Sequence, residues 1–124
     1  MTDEEIKRLG LEARAFKATL RGKRRPSNDL LYLWFIKRSQ LVRKADVQRF
    51  DVWLRSEDGA TPYPNANGLQ HSVFPSGPDW YRGQVSVASL EWLVYEVQPK
   101  VWALTVGGHL ELERKADKLP GSVL

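Results

Sequence analysis

Seven consecutive bulky residues, Leu30-Leu31-Tyr32-Leu33-Trp34-Phe35-Ile36, constrain this chain more than any other stretch. A segment apolar on both faces has to be covered from every side, so whatever it forms belongs at the centre of the core. It is far short of the ~20 residues needed to span a bilayer, so no membrane partner is expected. Periodicity alone does not separate a fully covered strand from the start of a buried helix. Two neighbours favour the strand. Lys37 and Arg38 stand where the next apolar turn of a helix would fall, and Phe50, Val52 and Leu54 alternate with Asp51, Trp53 and Arg55. We therefore expect two strands, 30–42 and 47–56, paired through the turn Arg43-Lys44-Ala45-Asp46, with one long bent helix as the competing reading.

The N-terminal segment is a helix by every local rule. Thr2 and Glu5 have the spacing of a capping box, and Ile6, Leu9, Ala13, Phe16 and Leu20 form one apolar stripe. Asp3, Glu4 and Glu5 complement the positive end of its macrodipole, Lys17 and Arg21 the negative end, and Gly22 is the expected C-cap. Residues 57–83 hold four of the seven prolines and four of the nine glycines and keep no period, which predicts a long irregular loop. Tyr63, Phe74, Trp80 and Tyr81 argue against simple disorder there. Beyond it the pattern predicts a short strand at 84–87 and a helix carrying Leu90, Leu93, Val94 and Val97. A hairpin, VWALTV-GG-HLELER, should turn at Gly107-Gly108, and the tail 115–124 should fray. The whole is one α+β domain, 1–124, with a mainly antiparallel sheet and two helices in the order α-β-β-long loop-β-α-β-β.

The chain has 124 residues and no cysteine, which excludes disulfides and thiolate sites and fits a reducing, cytoplasmic setting. Its acidic N-terminus, MTDEEIKRLG, is not a secretory signal. The two histidines, His71 and His109, match no compact metal motif, and no GxGxxG or P-loop occurs, so no metal or cofactor is expected. The carboxylate pairs Glu91/Glu96 and Glu111/Glu113 read as exposed surface, and catalytic residues are not assigned.

Charge is the informative property. Residues 17–49 carry ten cations against two acids, while the flanking segments are mildly acidic. Four of those cations, Arg21, Lys23, Arg24 and Arg25, crowd into the run RGKRRPSND, and arginine forks suit phosphate oxygens. With Lys37, Arg38, Arg43 and Lys44 they are expected to share one side of the domain and meet a polyanion. Trp80, Tyr81 and Arg82 join two flat rings to a guanidinium, a composition suited to stacking bases or anchoring a protein. Trp34 and Trp102 should be core, Trp53 and Trp92 more polar-faced. RNP1, GXXG, zinc-finger and basic-zipper motifs are absent. The leading expectation is a small accessory protein that binds nucleic acid, DNA or RNA, or a nucleoprotein complex. A protein–protein adaptor or inhibitor that grips an acidic partner comes second, and a small metal-independent RNase third.

Overall fold

Thr2 opens the first helix as the sequence requires: its hydroxyl accepts from the Glu5 N–H at 3.2 Å and donates to the Glu5 carboxylate at 3.1 Å. In the computed structural model, which describes residues 1–64 and 93–121, this helix, α1, spans Asp3–Ala18. It ends at Thr19 rather than Gly22, which lies in a following 3-10 turn, Gly22–Arg24, with φ +58°. Of the expected stripe, Ile6, Leu9 and Ala13 are buried and Phe16 is half-buried, while Leu20 lies beyond the end of the helix.

The two expected strands are both helices. α2 spans Asn28–Ser39 and α3 spans Lys44–Leu54. Ser27 caps α2 by accepting from the Leu30 N–H at 3.2 Å, and Asp29 and Lys37/Arg38 sit at the dipole ends that favour them. All seven residues from Leu30 to Ile36 are buried, so α2 is enclosed all round and needs no stripe. In α3 the inward positions are Val47, Phe50, Asp51 and Leu54, an i, i+3, i+4, i+7 set. Asp51, a charged residue at a core position, is what breaks the apolar helical period and leaves an apparent strand alternation.

α1 packs on α3 at close range because Gly10 has no side chain: a Cβ there would lie 2.7 Å from the Trp53 Cβ and 2.9 Å from the Phe50 carbonyl oxygen. Phe50 stacks on Phe35 of α2 with ring centroids 4.5 Å apart, at the centre of the core.

The expected helix over 90–97 is also corrected within the described residues, where Val94–Gln98 is a strand, β1. Its antiparallel partner β2, Val101–Leu104, begins after the turn at Pro99-Lys100, so the hairpin lies earlier than expected. Pro99 followed by Lys100 at φ +67° is the pattern of a type II turn. Gly107 and Gly108 are not a turn at all. They lie in the first turns of helix α4, Val106–Arg114, capped by Thr105, whose hydroxyl accepts from the Gly108 N–H at 3.0 Å. Gly108 is required for contact: a Cβ would sit 2.2 Å from the Leu93 carbonyl oxygen. Gly108→Ala is therefore expected to destabilise the protein by about 1–3 kcal/mol, the usual range for overpacking, as read from urea unfolding.

A 3-10 turn, Ala116–Lys118, then places Leu119 and Pro120 in buried positions. The domain is thus mixed helix and strand, with four α-helices and a two-stranded antiparallel sheet among the described residues. The expected element order and the mainly β character are not those of the fold. No helix among the described residues is long and apolar enough to cross a membrane. The expected strand at 84–87, most of the loop 57–83 and residues 122–124 lie outside the described residues.

Candidate functional site

The basic residues gather at the two ends of α2 rather than along one side. Twelve residues at 1.5 Å rise separate those ends by about 18 Å. Before α2, Arg21, Lys23, Arg24 and Arg25 are all exposed in the connection from α1. After it, Lys37, Arg38 and Arg43 are exposed and Lys44 is half-buried.

The second group is organised by one extended residue. Val42, between α2 and α3, pairs with Trp102 of β2: its N–H donates to the Trp102 carbonyl at 3.0 Å, and its carbonyl accepts from the Trp102 N–H at 2.7 Å. β2 is thereby flanked by β1 on one side and by Val42 on the other. In this antiparallel register Arg43 runs alongside Val101 and Lys44 towards the Pro99-Lys100 turn. Lys100, fully polar and exposed at that turn, joins the cluster; its backbone N–H donates to the Glu96 carboxylate at 3.0 Å. It was not legible from the sequence, because the hairpin itself was placed elsewhere. Arg38 folds back over the Trp34 ring at 5.6 Å. Arg49 is committed to Asp46 at 2.9 Å and Asp3 at 3.6 Å. Asp46 also accepts from the Arg43 N–H at 3.1 Å, which holds the start of α3 without a conventional cap.

At the other end lies a group that the sequence pointed to only in part. Asp51 is fully buried and accepts from the Tyr32 hydroxyl and from Arg55, whose Nε and Nη2 approach at 2.8 and 2.5 Å. Burial first, and the Asp51 carboxylate second, push the Tyr32 phenol far above its ordinary range. Arg55 in turn lies over the Tyr63 ring at 4.3 Å. Nearby, Asp58 accepts from the Ala60 and Thr61 N–H groups and the Thr61 hydroxyl, which holds its carboxyl down at about 2. That turn presents the Ser56 and Glu57 carbonyls to Arg14.

Trp34 is buried and Trp102 packs partly buried against the core, as expected. Trp53 is half-buried, with α1 passing close to its Cβ at Gly10 and the Lys7 ammonium 4.5 Å from its ring centroid. Trp80, Tyr81, Arg82, Trp92 and His71 lie outside the described residues. Among the described residues no group of three or more His, Asp or Glu side chains is arranged to hold a metal ion. Compared with family models, curated proteins and solved structures, the chain matches none.

Proposed function

We propose that the protein is a small nucleic-acid-binding accessory factor that holds phosphate backbone at the end of the domain where α3 begins and the hairpin turns. The observation that carries this reading is the backbone pairing of Val42 with Trp102, which draws Arg43 and Lys44 to the same end as Lys100. Lys37, in the last turn of α2, lies instead beside Ala103, Leu104 and His109, at the other end of β2.

Three phosphate contacts predict a log–log salt slope of roughly −2.7 on duplex DNA. The variant Arg43→Ala/Lys100→Ala is expected to flatten it by about 1.8 and to weaken all sequences alike, because phosphate contacts carry no base information. Titration of labelled duplex and single strands at several salt concentrations checks this. Absence of binding at low salt, or an unaltered slope in the variant, would reject the reading and turn attention to an acidic protein partner.

A further inference from the structure

A cleft of about 440 Å³ opens at the opposite end of α2, between α1, the start of α2 and the segment leaving α3. Arg14, Lys17, Arg25 and Arg55 line it, with Glu57 the one carboxylate and Tyr63 the one aromatic among the described lining residues. The four cations are committed differently. Arg55 is matched by Asp51. Arg14 is held rigidly by neutral carbonyls, donating from Nε to Ser56 at 2.6 Å and from Nη2 to Glu57 at 2.7 Å. Lys17 donates to the neutral Asn28 amide oxygen at 2.5 Å, and Arg25 has no ion pair among the described residues. Partial burial first, and the neighbouring Arg25 charge second, hold the Lys17 ammonium below its ordinary value. Once Asp51 is set against Arg55 and Glu57 against one more cation, the described lining residues keep an excess of two positive charges.

We propose that this cleft binds a phosphate monoester carried on a nucleoside, with the phosphate between Lys17, Arg25 and Arg14 and the nucleoside towards Tyr63. A phosphate monoester carries a charge of about −1.5 to −2 at neutral pH, which balances that excess, whereas a backbone diester carries only about −1. Its three terminal oxygens accept from two guanidinium forks and an ammonium together. The volume lies within the ~300–1,000 Å³ of ordinary small-molecule sites. Tyr63 stands half-buried in the wall, fixed by its backbone N–H to the Val52 carbonyl at 2.8 Å; Arg55 covers one face of its ring, and a base would stack on the other. The same chemistry is supplied by a free nucleoside monophosphate or by the 5′-phosphate end of a nucleic acid. The site uses none of the residues assigned to backbone binding and does not depend on that reading.

The full chain is titrated with adenosine monophosphate and with adenosine at low salt, followed by calorimetry and by amide shifts of Asn28 and Gly59. The monophosphate is expected to bind at least about tenfold more tightly than adenosine, the worth of one or two charge-assisted hydrogen bonds. Arg25→Glu, at an exposed position, is expected to weaken it by at least about tenfold, as is Lys17→Gln, with circular dichroism showing both variants folded. Arg43→Ala/Lys100→Ala should leave it unchanged. Competition by a 5′-phosphorylated tetranucleotide, and not by its 5′-hydroxyl form, would support a nucleic-acid end as the source; failure of both to compete would support a free nucleotide. Equal binding of adenosine and its monophosphate, or undiminished binding by both variants, would overturn the proposal. So would the lack of saturable monophosphate binding.

Discussion

Replacing Asp51 with alanine is expected to destabilise the protein by about 3 kcal/mol, the lower part of the ~3–5 kcal/mol range for removing one partner of a buried ion pair. Asp51 is fully buried and ties three elements together: Tyr32 from α2, its own helix α3, and Arg55 at the start of the segment that carries Tyr63. Without the carboxylate, the Tyr32 hydroxyl loses its acceptor inside the core, a cost of about 1–3 kcal/mol by itself. Arg55 loses its counter-ion, but its side chain is 27% exposed and recovers part of the loss from water, hence the lower figure. Urea unfolding of Asp51→Ala, Tyr32→Phe and the double variant checks this, and the double variant should lose less than the sum because the two residues share one contact. A loss below about 1 kcal/mol in Asp51→Ala would show that the network is not what joins these elements.

Phe35→Ala is expected to be the more damaging change, at about 3–5 kcal/mol, because a whole ring is removed from a position with no exposure at all. Phe35 stacks on Phe50 at 4.5 Å and 17°, and Phe50 also meets Tyr32 edge-on at 6.3 Å. The vacated volume is walled by rigid aromatic groups on two helices and has little means of collapsing. A fall of about 10–20 °C in the thermal midpoint is the corresponding observation. An unaltered midpoint would place the ring outside the core and contradict the packing of α2 on α3.

How much of this was legible beforehand differs from element to element. In α1 the cap, the apolar stripe and the end charges all speak for the same conformation, and reading them along the chain was enough. In α2 the seven apolar residues announced burial but not conformation, since an element covered on every side has no polar face to set a period. In α3 one buried charge at position 51 hid the helical spacing. The Gly107-Gly108 pair looked like a turn because glycine suits turns, yet Gly108 is needed where α4 passes the Leu93 carbonyl. The basic residues were visible as a composition, but their division between two ends of a helix was not. Lys100 joins one of those ends only through the Val42–Trp102 pairing.

The sequence by itself determined the first helix, the position of the core at residues 30–36, and the concentration of positive charge between 17 and 49. These depend on local capping, on apolar content and on charge, which are properties of neighbouring residues. Only the tertiary structure decided that residues 28–54 form two helices, that Asp51 belongs inside, and that the cations form one cluster beside a hairpin turn and a second around a cleft. Each of those outcomes depends on partners far apart in the chain: Asp51 on Tyr32, Val42 on Trp102, Arg14 on the carbonyls of Ser56 and Glu57. The free energy that selects them is the satisfaction of buried polar groups and the filling of the core, which exists only once the elements have met.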